Sequence, residues 1–139
     1  MQDFNYEHSN CFDITLEVTC CKYPLRSTLV EEWYNNKEAM LTYLEAVHRG
    51  VKGLITDEKT GLPIANASVK IKGIEKTIYS TDQGEFWRLL KPGDYVMTVS
   101  AKGYQTSGPI EISRHRLLVQ KTALIKNVAL TKIPQEGEF

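Results

Sequence analysis

Residues 11–19 alternate strictly, with Phe12, Ile14, Leu16 and Val18 on one parity and Cys11, Asp13, Thr15, Glu17 and Thr19 on the other. A period of two over this length predicts a strand with one apolar face, and Glu17 projects from its polar face beside Thr15. After Pro24 the period changes. Leu29, Val30, Trp33, Met40, Leu41, Leu44 and Val47 recur at steps of three and four, the stripe of an amphipathic helix. Ser27 or Thr28, with Glu31 a short way on, supplies a start, while His48, Arg49 and then Gly50 supply a stop. Asn35-Asn36 has poor helix propensity, so a helix broken there fits the pattern as well as a continuous one.

From Val51 onward the helical period ends. Short β-rich runs at 51–56, 67–72, 77–81, 85–90, 94–100, 110–113 and 122–130 are separated by Thr60-Gly61, Asp82-Gln83-Gly84, Lys91-Pro92-Gly93 and Ser107-Gly108-Pro109. Each separator carries a Gly or Pro turn signal. Seven strands at this spacing predict a small β-sandwich. Val69 and Ile71 alternate with Lys70 and Lys72, so the lysines mark a face open to water. Asp82 and Glu85 flank a glycine turn and read as turn and edge residues rather than an acidic pair.

The composition changes this picture little. The 139 residues are 42% hydrophobic and 24% charged, as in a folded chain rather than a disordered one. Seventeen basic and seventeen acidic side chains cancel. With no long Lys/Arg run, neither nucleic acid nor an anionic membrane is an expected partner. No apolar run has the eighteen or so residues that a membrane span needs, and the amino terminus lacks the basic start and apolar core of a signal peptide.

Candidate chemistry sits mostly in the first segment. The three cysteines, Cys11, Cys20 and Cys21, are an odd number, so at least one has no partner within the chain. Cys20 and Cys21, if in a strand, point to opposite faces, which argues against a bond between them; buried free thiols are the simplest reading. The histidines are His8, His48 and His115, none with a Glu three residues on. His8 and Cys11 have a loose ligand spacing but no third partner, so no metal site is expected from this chain. His48 reads as a dipole partner at a helix end. Asn66-Ala67-Ser68 is a glycosylation sequon. Glu17, on pattern alone, is a glutamate facing water.

Three strings alter that reading: Met-Gln-Asp-Phe-Asn-Tyr at the start, His-Ser-Asn-Cys-Phe at 8–12, and Ile-Thr-Leu-Glu with Cys-Cys-Lys-Tyr-Pro at 14–24. Together they resemble the end of the catalytic domain of zinc metallocarboxypeptidases of the N/E type, the group of carboxypeptidases D, E, M and N. Gly-x-x-Thr-Asp at 53–57, Thr-Gly-x-Pro-Ile-x-Asn-Ala-x-Val at 60–69, Thr-Asp-x-Gly-x-Phe at 81–86, Pro-Gly-x-Tyr at 92–95 and Lys-Gly-Tyr at 102–104 resemble the transthyretin-like domain that follows it. That second pattern is less specific to enzymes, since similar sandwiches occur as regulatory-like modules in many extracellular proteins.

The resemblance implies that Glu17 is the general base which activates a zinc-bound water and passes its proton to the leaving amine. It also implies that Gln2 lies at the base of the pocket for the substrate's last side chain, with Thr15 on its wall. The substrates implied are peptides and proteins ending in Lys or Arg, the compartment the secretory pathway, and Asn66 a glycosylated residue. In that compartment the cysteines form disulfides instead of remaining free. The family's zinc ligands, a His-x-x-Glu pair and a distant His, and its clamp for the substrate carboxylate lie earlier in the chain. Zinc is therefore expected in the complete enzyme and not in this chain alone, which carries the base without the metal.

The expected organisation is a catalytic-domain remnant at 1–24, a connecting amphipathic helix at 25–49, a mainly β transthyretin-like sandwich at 50–132 and a polar tail at 133–139. The remnant's four apolar side chains return less free energy than ordering its backbone costs, so it is not expected to hold its native form alone. The alternative function is a non-enzymatic sandwich module that assists folding or meets a partner.

Overall fold

In the computed structural model, which describes residues 2–9, 11–114 and 122–134, the chain divides into two units, Met1–Val47 and His48–Phe139. In the first, helix α1 (Gln2–Ser9) closes with the Ser9 hydroxyl donating to the Asn5 carbonyl at 2.7 Å. The chain then runs without helix or strand through 11–18. The strand expected at 11–19 does not form among the described residues: its alternation is intact, but no neighbouring strand offers hydrogen bonds. Phe12, Ile14, Leu16 and Val18 are exposed as a result.

A 3-10 turn at Arg26–Thr28 leads into helix α2 (Leu29–Glu45). Thr28 does not cap α2 through its side chain; its hydroxyl donates backwards to the Leu25 carbonyl at 2.8 Å. The helix is continuous through Asn35-Asn36. Asn36 Nδ2 donates to the Glu32 carbonyl at 2.9 Å, so the amide competes for the helix's own acceptor without unwinding it. No residue of α2 is buried, and Leu29, Val30, Trp33, Leu41 and Leu44 stay exposed along the apolar stripe. A second 3-10 turn, Ala46–His48, ends the helical stretch.

The second unit is a sandwich of eight strands: β1 (Val51–Asp57), β2 (Ser68–Ile71), β3 (Ile74–Tyr79), β4 (Glu85–Arg88), β5 (Gly93–Ser100), β6 (Ile110–Arg114), β7 (Leu124–Ile125) and β8 (Val128–Leu130). One sheet has the order β4-β1-β7 with β8 also on β1, and the other has the order β3-β2-β5-β6. The mainly β sandwich expected from the strand spacing is therefore present. Inside it, Val69 and Ile71 of β2 and Met97 and Val99 of β5 meet Val51 and Ile55 of β1, Phe86 of β4 and Leu130 of β8, all nearly or wholly inaccessible. Lys70 and Lys72 face outward, as the alternation requires.

The expected seventh strand, 122–130, is divided in two. Val51 and Lys52 pair in parallel with Leu124 and Ile125; Ile55, Thr56 and Asp57 pair with Val128, Ala129 and Leu130 in the same register. Between them Lys126 N–H donates to the Lys52 carbonyl at 2.8 Å, and the Asn127 side-chain oxygen accepts from Leu54 N–H at 3.0 Å. The backbone of Lys126 passes so close to Gly53 that a Cβ there would lie 1.9 Å from the Lys126 carbonyl oxygen and 3.0 Å from the Phe86 ring. Only a residue without a side chain fits at this core-facing position.

Candidate functional site

Glu17 lies on the irregular stretch between α1 and α2 and is exposed. It borders an open cleft of about 560 Å³ together with Cys20, Cys21, Lys22 and Glu32. Gln2, the first residue of α1, and Thr15 are also exposed, and neither lines that cleft. The structure thus places Glu17 beside the cysteine pair and does not gather it with the two proposed pocket residues. Near Thr15, Asp13 accepts from Asn5 Nδ2 at 2.6 Å, which ties this stretch back to α1.

The histidines and cysteines do not converge. His8 stacks in a tilted arrangement on Phe4, ring centroids 4.2 Å apart, and His48 closes the second 3-10 turn. His115, like residues 135–139 of the tail, lies outside the described residues. Among the described residues, no group of three or more His, Cys, Asp or Glu side chains is arranged to hold a metal ion. The donors present therefore do not fit the zinc centre that the motifs imply. Cys11, Cys20 and Cys21 are free and exposed, a correction to the expectation of buried thiols. Because no strand forms at 20–21, the adjacent side chains do not diverge, and their sulfurs lie 3.4 Å apart.

Asn66 occupies an exposed turn with φ of 53°, a left-handed conformation that asparagine tolerates better than most residues. Its sequon partner Ser68 is engaged: the hydroxyl sits 2.8 Å from Ser100 Oγ and donates to the Ser100 carbonyl at 3.2 Å. Asp82 and Glu85 flank the turn before β4, where Thr81 Oγ1 accepts from the Gln83 and Glu85 amides.

The best-organised polar cluster joins two motifs that are 47 residues apart in sequence. Asp57, nearly buried at the end of β1, accepts from Lys59 N–H at 2.9 Å and Thr60 N–H at 2.8 Å, and its second oxygen accepts from the Tyr104 hydroxyl at 3.1 Å. The Thr60 amide, opposed by partial burial, holds the Asp57 carboxyl below its ordinary range; burial and then the Asp57 bond raise the Tyr104 phenol above its own. Glu58 accepts from the Thr131 hydroxyl at 2.6 Å, and Gln105 N–H donates to the Thr131 carbonyl at 2.8 Å, so the chain after β8 is fastened to the same corner. A second fixed point is Ser80, buried, whose hydroxyl accepts from Ala67 N–H at 2.9 Å and donates to the Ile64 carbonyl at 2.7 Å. Neither cluster contains a nucleophile with an adjacent base; both clamp loops. The motif letters for Asp57 and Tyr104 were visible in the sequence, but their pairing was not.

The relatives agree with the motifs. The carboxypeptidase regulatory-like domain family matches residues 50–130. The chain is 52% identical to carboxypeptidase D of Drosophila melanogaster over 113 residues, covering 81% of this chain and 8% of that protein. It is 49% identical to carboxypeptidase Z of Gallus gallus over 104 residues, 75% of this chain and 16% of that protein. With the carboxypeptidase N catalytic chain of Homo sapiens it shares 45% over 117 residues, 80% of this chain and 25% of that protein. The chain thus spans a quarter or less of these relatives' lengths. The resemblance read from the motifs holds, and the chain belongs to the carboxypeptidase regulatory-like domain family.

Proposed function

We propose that this chain is part of a zinc metallocarboxypeptidase that releases C-terminal Lys or Arg from peptides and proteins, as in peptide and prohormone processing. Glu17 is its general base, and Gln2 and Thr15 border the pocket for the last side chain. The observation that supports this is the 52% identity to a carboxypeptidase D over 113 residues, a match longer than the span 50–130 and so reaching beyond the sandwich. The zinc ligands belong to the longer polypeptide, since this chain spans a quarter or less of its carboxypeptidase relatives' lengths. Within that polypeptide Glu17 takes a proton from the attacking water and delivers it to the leaving amine. Residues 1–24 close the catalytic domain, 25–49 connect, 50–132 form the transthyretin-like domain and 133–139 the tail. The protein travels the secretory pathway and carries a glycan on Asn66.

The test is Glu17→Gln in the complete polypeptide. Release of C-terminal Arg is expected to fall roughly 10²–10⁴-fold in kcat, the usual contribution of a general base, with zinc content unchanged. Undiminished turnover overturns the assignment. The isolated 139-residue chain is expected to retain no stoichiometric zinc and to leave a peptide ending in Arg intact.

A second reading, a non-enzymatic folding or interaction module, is favoured by one observation: the sandwich has its own closed core. Intact activity of the longest natural product carrying Glu17→Ala selects that reading.

A further inference from the structure

Tyr79 stands on the outer face of the β3-β2-β5-β6 sheet, beside the glycosylation sequon. Val69 of β2 and Ile78 of β3 pair on the inner face and are buried, so the next pair, Ser68 and Tyr79, lies on the face away from the core. Tyr79 is 59% exposed. The row continues from Ser68 to Ser100 on β5, whose hydroxyl lies 2.8 Å from that of Ser68. Two serines bound to each other are too short to cover a phenol ring, which explains its exposure.

Asn66 is held against the same strand. Its N–H donates to the Ser80 carbonyl at 3.1 Å, and Ser80 N–H donates to the Ala67 carbonyl at 2.9 Å, so the antiparallel course of β2 and β3 continues past Ser68. Ala67 is wholly buried, whereas Asn66 is exposed and stands two residues before Ser68. In this register Asn66 is a diagonal neighbour of Tyr79, a separation of about 7–8 Å that a large substituent on one side chain spans. Trp87, comparably exposed, belongs to β4 in the other sheet.

A pyranose ring has a face of C–H groups whose slightly positive hydrogens suit the negative face of an aromatic ring. The neighbouring serine hydroxyls retain acceptor capacity for the polar groups at the sugar's edge. We propose, on the reading that Asn66 carries a glycan, that Tyr79 is the shelf on which the glycan's first sugar, an N-acetylhexosamine, stacks, with its polar edge over Ser68 and Ser100. Docked there, the sugar covers aromatic surface that the sandwich leaves to water and stiffens the turn before β2.

The full chain, secreted from a eukaryotic host and trimmed enzymatically to a single N-acetylglucosamine, tests this. Peptide mass mapping reads the occupancy of Asn66. In proton NMR the sugar's ring protons are expected to shift upfield under the aromatic ring current, to return to free-sugar positions in Tyr79→Ser and to stay shifted in Tyr79→Phe. The sandwich of the trimmed chain should melt at least about 2 °C above that of the unmodified chain from the same host grown with a glycosylation inhibitor, a gain lost in Tyr79→Ser. Sugar protons at free-sugar positions on an occupied Asn66 overturn the shelf and leave the glycosylation reading standing. An unmodified Asn66 in the uninhibited host overturns both.

Discussion

Gly53→Ala probes the feature that divides the last expected strand. No positive φ is required at Gly53, so an alanine there meets no backbone strain, and the whole effect comes from what its methyl strikes. That is the Lys126 carbonyl, 1.9 Å from the ideal Cβ, with the Phe86 ring behind it. Backbone cannot rotate away as a side chain can, so Lys126 must move. Its bond to the Lys52 carbonyl and the Asn127 bond to Leu54 N–H move with it. Two weakened hydrogen bonds at roughly 0.5–1.5 kcal/mol each and overpacking of about 1–3 kcal/mol give a loss of roughly 2–6 kcal/mol. For a domain of this size each kcal/mol lowers Tm by roughly 4–8 °C, so the sandwich transition should fall by at least about 8 °C. Thermal unfolding followed by near-ultraviolet circular dichroism measures this. Gly108→Ala is the control, since a Cβ there meets nothing within 4 Å and no positive φ is involved; it should be neutral or stabilise by about 0.4–1 kcal/mol. In a double-mutant cycle Gly53→Ala should couple to Asn127→Ala, because both act on one crossing. Melting of Gly53→Ala within about 2 °C of the parent chain, well under the shift derived above, would refute the close-approach argument.

The clusters at the loops give three further predictions. Ser80→Ala strips the Ala67 amide and the Ile64 carbonyl of a buried partner; it should cost roughly 1–3 kcal/mol, seen as a lower urea midpoint at unchanged m. Asp57 has a depressed pKa when folded, so its share of stability is present above its unfolded pKa near about 3.9 and is lost as pH falls through the lower folded value. Asp57→Asn should therefore flatten the acid limb of a stability–pH curve below about pH 4, and an unchanged limb contradicts the assignment. Tyr104 has the opposite sign: its share is complete below its unfolded pKa near about 10 and is lost as pH rises through the higher folded one. Tyr104→Phe should flatten the alkaline limb and, because the Tyr104 hydroxyl is one of the bonds that lower the Asp57 pKa, weaken the acid limb as well.

The sequence by itself determined the elements whose causes are local. Period two placed Val69 and Ile71 on the inner face of their strand and Lys70 and Lys72 on the outer one, because side-chain direction in a strand depends only on parity. The steps of three and four located α2, and the motif strings identified the family. Periodicity failed at residues 11–19 for a reason no local pattern contains: a strand exists only where a neighbour accepts its hydrogen bonds. That same missing strand left Cys20 and Cys21 side by side, where parity had set them on opposite faces. Only the tertiary structure decided that Gly53 is a glycine for the sake of Lys126, and that Asp57 belongs with Tyr104. Those partners are 73 and 47 residues away; the first is brought close by pairing β1 with β7 and β8 in one sheet, the second by the loop after β5 folding onto the end of β1.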